Sequence, residues 1–353
     1  MTPVQSTPSS QVPSFYGLSR DRLADELAAR GLPTYRAQQL FAWVYQKRLR
    51  NPEAMSNLPI GLRSSLLELC DLSLPRAAAV LATPDAATRK FVLELAGGAR
   101  VECVSMRTAR RLTLCLSSQV GCALGCAFCA TGLMGLTRNL SAAEIVGQVL
   151  AMGDFDRWQD ERFNLVFMGM GEPLANYGAL MEAIRILHDA RGLNIGARRI
   201  TVSTSGLVPQ IRALAGEGLQ LGLAVSLHAT TDELRDRLVP VNRRWPLEEL
   251  LAAAREYGER VGRRVTLEYT LLAGINDRPE DADRLAAMAR ALPSKINLIP
   301  YNPVPGLEWK RPDPAAVEAF AARLMPRAPA VMVRHTLGGE IWAACGQLGG
   351  LGA

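Results

Sequence analysis

From about residue 90 to residue 333 the chain alternates short apolar, β-branched runs with stretches of helical periodicity, and this alternation restricts the fold more than any other feature. Strand-like runs fall at 91–95, 101–104, 112–116, 165–167, 200–203, 221–227, 265–271, 296–299 and 331–333. Helical patterns at 235–239, 247–257 and 281–291 fill gaps between them, and Ser141-Ala-Ala-Glu144 has the form of a capping box that opens another helix. Strands joined by helices form a parallel sheet with right-handed crossovers. The expected class is therefore α/β, either an open doubly wound sheet or a full or partial (β/α) barrel, which periodicity does not separate. Residues 15–95 read as a small helical module, with helices at 20–29, 35–48 and 60–70. The expected organisation is a disordered tail (1–14), a helical accessory domain (15–95), an α/β core (96–336) and a short C-terminal segment (337–353).

With 48% hydrophobic and 21% charged residues the chain has the usual globular mix, which excludes disordered and fibrous classes. No run of 18 apolar residues spans a membrane, and the polar start has no signal-peptide pattern, so the expected location is the cytoplasm. The net charge is +6, and only four of the 40 basic residues are lysines. Arginine suits bidentate phosphate contacts and stacking on bases, although a general compositional bias gives the same excess. Lys47, Arg48 and Arg50 lie beside Trp43 and Tyr45, a mixture that fits RNA as well as an ordinary solvated helix face.

The chain has seven cysteines, an odd number, and four of them fall within residues 115–129, which makes a poor disulfide framework and a good cofactor site. Cys122-Ala-Leu-Gly-Cys126-Ala-Phe-Cys129 brings three thiolates onto one tight loop. Gly121 and Gly125 let the backbone curl, and Phe128 shields what the loop holds. A structural zinc ion takes four ligands, and no neighbouring His or second CxxC supplies a fourth. A [4Fe-4S] cluster on three cysteines keeps one iron open to a cosubstrate. Met168-Gly-Met-Gly-Glu-Pro173, Thr201-Val-Ser-Thr-Ser-Gly206 and Ser226-Leu-His228 each close a strand, at the end where barrels bind ligands. On its own, His228 reads first as a satisfied buried histidine.

The cysteine spacing resembles the signature of the radical SAM superfamily, and the Gly-Glu-Pro stretch resembles its methionine-contacting motif. Beyond these, the chain resembles the RlmN/Cfr family of radical SAM RNA methyltransferases, in particular the branch that acts on adenine C2. The resemblance rests on Tyr35-Arg-Ala-Gln-Gln-Leu-Phe-Ala-Trp43, Leu114-Cys-Leu-Ser-Ser-Gln-Val-Gly-Cys122, Asn297-Leu-Ile-Pro-Tyr-Asn-Pro303 and Ala344-Cys-Gly-Gln-Leu348, together with the strand-end motifs.

It implies a partial (β/α) barrel of radical SAM type and a [4Fe-4S] cluster on Cys122, Cys126 and Cys129. It implies S-adenosylmethionine (SAM) at Gly171, Glu172, Ser203, Ser226, Leu227, His228 and Asn302. Methylation would pass through an S-methylcysteine at Cys345, with Cys115 resolving the protein–RNA adduct through a transient disulfide and Glu102 accepting a proton. The implied substrates are 23S rRNA and tRNA, at the adenosine 3′ of the anticodon. Electrons would come from a donor such as flavodoxin or ferredoxin, and the protein would act as a monomer. Methylation at adenine C8 is the family's alternative outcome. Cys70 and Cys103 match no motif and read as structural. Gly339-Glu-Ile-Trp342 departs from the family's usual Gly-x-Asp-Ile, with Glu340 in place of the acid.

Alternation along 112–116 is expected to turn Thr113 and Cys115 into the barrel, with Leu112, Leu114 and Leu116 packed against helices.

Overall fold

The computed structural model describes residues 12–156, 161–334 and 336–349. Most of the expected tail 1–14, and the end of the expected C-terminal segment 337–353, lie outside the described residues.

The chain opens with α1 (Arg20–Ala28), whose N-cap Ser19 accepts a hydrogen bond from the Arg22 amide. Next come α2 (Arg36–Phe41), which runs on into a π-helical turn (Ala42–Gln46), and α3 (Ile60–Leu69). Phe15, Phe41 and Tyr45 form the aromatic centre of this module, with ring centroids 5.0–5.7 Å apart. The module is helical only to Leu69. Strands β1 (Arg76–Ala82) and β2 (Thr88–Glu94) occupy part of the region expected to be helical up to 95. The β1 sequence Arg-Ala-Ala-Ala-Val-Leu-Ala favours helix, but its pairing with β2 at the edge of the sheet overrides that propensity.

Strands β3 (Arg100–Thr108) and β4 (Arg111–Cys115) continue the antiparallel run, and a two-stranded pair, β5 (Gln119–Gly121) and β6 (Leu136–Asn139), flanks the cysteine loop and α4 (Ala130–Leu133). The remaining chain alternates as expected. It runs α5 (Ala142–Asp156), β7 (Phe163–Phe167), α6 (Tyr177–His188), β8 (Ile200–Thr204), α7 (Val208–Ala215), β9 (Gly222–Ser226), α8 (Asp232–Leu238), α9 (Leu247–Val261), β10 (Val265–Leu271), α10 (Pro279–Arg290), β11 (Ser294–Pro300), α11 (Pro314–Leu324) and β12 (Val331–Val333). The capping box forms: the Ser141 amide donates to Glu144 Oε2 at 2.8 Å, and the Glu144 amide donates to Ser141 Oγ at 3.2 Å.

One ten-stranded sheet runs in the order β1-β2-β3-β4-β7-β8-β9-β10-β11-β12, with parallel pairing from β4 onward. Cys115 at the end of β4, Ile299 on β11 and Arg334 just past β12 line one cavity although four strands separate β4 from β11, so the sheet rolls up. Its end strands do not pair among the described residues. The result is a partial (β/α) barrel. Leu112, Leu114 and Leu116 are buried in the main core, each worth about 1.5–3 kcal/mol relative to exposure, while Cys115 faces the interior cavity as the alternation requires. No helix among the described residues is long and apolar enough to cross a membrane.

Candidate active site

The C-terminal ends of the parallel strands and the cysteine loop enclose a cavity that is partly open to solvent. Cys122, Cys126 and Cys129 line it together with Gly171, Glu172, Ser203, Ser226, His228, Asn302 and Cys345. The loop is built by close backbone packing. Gly121 has φ +78°, and a Cβ there would sit 1.9 Å from the Gly135 carbonyl oxygen. Gly171 has φ +97° and abuts Gln119, leaving no room for a side chain.

Burial raises the thiols of Cys122 to about 11 and Cys126 to about 12, and the neighbouring Cys129 adds to both. Burial also raises that of Cys129. Three half-buried thiols that disfavour free thiolates and face one cavity fit a group that itself neutralises them. Among the described residues no three His, Cys, Asp or Glu side chains converge tightly enough to hold a single metal ion. A cuboidal cluster binds one thiolate per iron and needs its ligands spread around a larger body, so the loop fits a cluster better than one zinc ion.

Around this loop the polar groups are anchored. Glu172 is buried; its Oε1 accepts from the Leu174 amide at 3.1 Å and its Oε2 from the Ser205 amide at 2.8 Å, so it ties the end of β7 to the end of β8. Burial raises its carboxyl to about 7 despite those hydrogen bonds. His228 adopts φ +59°, and its Nδ1 accepts from the Thr270 amide at 3.0 Å, which assigns the ring proton to Nε2. Burial, and then the Arg235 charge, push its pKa down to about 3, so the ring is neutral. Phe128 packs edge-on against it at 4.9 Å. Leu227 behaves differently from its neighbours: its side chain lies in the core, its N–H donates to the Glu268 carbonyl, and its carbonyl accepts from Arg235. The fold brings it beside the cavity without making it part of the wall.

Cys345 lies at the seam between this cavity and a second one lined by Cys115, Arg334, Asn302, Met168 and Ile299. It is exposed, and Arg334 Nη1 approaches its sulfur to 3.7 Å. The Cys345 charge in turn raises the Arg334 guanidinium. Asn302 Nδ2 donates to the Cys345 carbonyl at 3.2 Å, and Gln347 Nε2 donates to the Pro303 carbonyl at 2.9 Å, fastening the C-terminal segment to the end of β11. Cys115 is buried, and its thiol is raised to about 12 by burial and the nearby Cys345.

Glu102 lies outside both cavity walls. It is buried on β3 with Oε1 3.3 Å from Lys90 Nζ, while its Oε2 accepts from the Gly349 amide at 3.0 Å. Cys70 and Cys103 are buried thiols, as expected of structural cysteines. The Gly339–Ile341 turn forms a short 3-10 helix, with Trp342 at φ +56°.

Sequence reasoning missed Arg235, which is fully buried and bonds to the carbonyls of Leu227, Ser205 and Ser226, stitching β8 to β9 beneath the cavity. It also missed Glu268 on β10, which lines the cavity and is held by Asn297 Nδ2 at 2.9–3.1 Å. Both sit within ordinary helix and strand patterns, so only the three-dimensional arrangement singles them out.

Residues 116–286 match the family model described as Radical SAM superfamily, and residues 14–72 match that of the ribosomal RNA large subunit methyltransferase N-terminal domain. The chain is 49% identical to the probable dual-specificity RNA methyltransferase RlmN of Symbiobacterium thermophilum, over 94% of this chain and 90% of that protein. It is 47% identical to the dual-specificity RNA methyltransferase RlmN of Anaeromyxobacter dehalogenans, over 95% and 91%. The crystal structure of a radical SAM methyltransferase from Sphaerobacter thermophilus superposes with a TM-score of 0.91 at 47% identity, covering 95% of this chain and 99% of that one. On this agreement of sequence, fold and cysteine loop, the chain belongs to the RlmN family of radical SAM RNA methyltransferases, enzymes that work with a [4Fe-4S] cluster and SAM.

Proposed function

We propose that the protein methylates C2 of adenosine in 23S rRNA and in tRNA, at the adenosine 3′ of the anticodon, through a methyl group carried on Cys345 and with two SAM consumed per turnover. The observation that carries this reading is the position of Cys345, exposed at a seam with the three cluster cysteines on one side and Cys115 on the other. Adenine C2 is an electron-poor sp2 carbon and does not displace a methyl group from a sulfonium, so the methyl must reach it from a carrier in activated form. SAM and the cluster, when bound at the first cavity, supply that methyl group and the radical that activates it.

The chain's own residues do the rest. Cys345 takes the methyl group on its sulfur and, being exposed, presents it to an unstacked adenine. Asn302 holds the Cys345 backbone while this happens. Once the sulfur is joined to the ring through carbon, a second thiol must attack that sulfur to free the product. Cys115 shares the second cavity with it and is the resolving thiol, leaving a Cys115–Cys345 disulfide. Burial holds its thiol far above neutrality, so its proton must be removed for the attack, and the carbon leaving the Cys345 sulfur takes up the electron pair and a proton. Glu102, which holds the Gly349 amide at 3.0 Å, is the proton acceptor of this reading. Gly171, Glu172, Ser203, Ser226, His228 and Asn302 hold SAM, with Leu227 contributing only as a spacer. The N-terminal helical module contacts the RNA, and a flavodoxin or ferredoxin delivers electrons to a monomeric enzyme.

The test is an anaerobic reaction of the reconstituted enzyme with SAM, reductant and a 23S rRNA fragment, digested to nucleosides and resolved by mass spectrometry. 2-Methyladenosine is expected; 8-methyladenosine would replace the C2 assignment with C8, and unmodified RNA despite SAM cleavage would refute the RNA substrate.

A further inference from the structure

At the end of the barrel opposite the catalytic cavity, the N-terminal module and the α6–β8 loop enclose a second kind of site. Tyr35, Gln38, Trp43, Gln46, Lys47 and Arg191 line a surface cavity there. The π-helical turn shapes it: Val44 and Tyr45 go into the core, while Trp43, Gln46 and Lys47 face the cavity. Such turns recur at functional sites because they re-aim side chains that a regular helix would direct elsewhere. Trp43 is fixed in place, its indole N–H donating to Asn57 Oδ1 at 2.5 Å, and Lys47 Nζ sits 3.5 Å from the indole centroid. The Gln38 amide faces the Arg191 guanidinium across the junction of module and barrel.

A neighbouring cavity, reached along the same Gln46–Arg48 turn and the same 191–199 loop, is lined by Arg48, Glu161, Arg162 and Arg199. Its one acid, Glu161, is already paired with Arg107. Among the described residues, Lys47, Arg162, Arg191 and Arg199 take part in no ion pair. A solvated charged face normally interleaves both signs; this strip presents cations, the exposed Tyr35 ring with the Arg36 guanidinium against one of its faces at 4.7 Å, and several amide groups together. Phosphates match the first, an unstacked base the second, and base edges the third.

The strip cannot be part of the catalytic cavity. Phe163 and Arg199 mark the N-terminal ends of β7 and β8, whereas Phe167 and Ser203 at their far ends line the catalytic site. Four residue steps of strand at about 3.3 Å place the two roughly 13 Å apart through the sheet.

We propose that this strip is a second RNA-binding site, which takes an unpaired nucleotide and its flanking phosphates from a part of the substrate RNA remote from the target adenosine. The inference rests on the RNA-methyltransferase reading above and adds that the enzyme grips a folded RNA at two ends of the barrel. A short oligonucleotide carrying the target alone would then reach only one of them.

The test measures binding of the holoenzyme to a 23S rRNA fragment by fluorescence anisotropy across a salt series. Lys47→Ala/Arg191→Ala/Arg199→Ala should weaken binding at least tenfold and flatten the log–log salt slope by about two to three, at roughly 0.7–0.9 per phosphate contact. Tyr35→Ala should weaken binding on the order of tenfold with the salt slope intact, the signature of a lost stacking platform. Lys47→Arg/Arg191→Lys/Arg199→Lys keeps the charge and should retain the wild-type slope, which separates charge loss from misfolding. If wild-type binds while the alanine variant binds equally with an unchanged slope, the strip is refuted and the methyltransferase reading stands. If the wild-type holoenzyme binds no RNA at all, both fall.

Discussion

Lowering the pH from 7 to 5 should destabilise this protein through His228 alone by about 2 kcal/mol. The ring is buried, its Nδ1 accepts from the Thr270 amide, and Arg235 lies close, so protonation in the folded state is pushed down to about 3. Adding a proton at Nδ1 would set one N–H against another. In the unfolded chain the same ring titrates near 6.5, so between about 6.5 and 3 the unfolded state binds more protons and stability falls with pH. The loss is about 1.4 kcal/mol per pH unit below 6.5, hence about 2 kcal/mol at pH 5.

Glu172 works in the opposite direction. Its carboxyl is raised to about 7 in the fold against an ordinary value near 4.5, so its contribution is present at low pH and lost as pH rises through that window. The wild-type pH profile therefore mixes the two, and a variant is needed to isolate His228. His228→Asn suits this purpose: asparagine tolerates the left-handed backbone at φ +59°, keeps an acceptor, and does not titrate. Denaturant titrations of both proteins at pH 7 and pH 5 should show the wild type losing about 2 kcal/mol more than the variant. Equal losses would mean that His228 titrates normally and is not the buried neutral ring described here.

Three further outcomes follow from the site. Lys90→Met strands Glu102 as an unpaired buried carboxylate and should cost about 3–5 kcal/mol in denaturant titrations, whereas Lys90→Met/Glu102→Gln should recover much of that loss; additivity of the two would disprove the buried pair. Cys126→Ala should abolish both the brown iron–sulfur absorption and RNA methylation, and full methylation by this variant would remove Cys126 from the cluster. Cys115→Ala should still load a methyl group on Cys345 yet remain covalently attached to RNA in denaturing gels; free methylated RNA at wild-type yield would refute its resolving role.

Much of this site was legible in the sequence because it is built from contiguous motifs. The cysteine loop, Gly171-Glu172, Ser203, Ser226 and His228 each belong to a short stretch at a strand end, and a parallel sheet necessarily gathers those ends. The strand Leu112 to Leu116 was readable because one face is continuously apolar while Cys115 is turned the other way. β1 was not, because its alanine-rich sequence carries a helix propensity that only its pairing with β2 overrides. Arg235 was equally opaque: an arginine in a charged helix, Asp-Glu-Leu-Arg-Asp-Arg-Leu, looks solvated, and burial is conferred by the three carbonyls that wait for it at the ends of β8 and β9. Glu102 was singled out by the resemblance alone, and its surroundings, a buried lysine and the C-terminal backbone, come from elements that are distant in sequence.

In the proposed reaction everything depends on Cys345 carrying the methyl group. Incubating the reconstituted enzyme with methyl-labelled SAM and reductant, without RNA, and sequencing its peptides by mass spectrometry tests it directly. One labelled methyl group is expected on the Cys345 sulfur and none in Cys345→Ser; label on another residue, or efficient RNA methylation by a protein whose Cys345 is never labelled, would show that Cys345 is not the carrier.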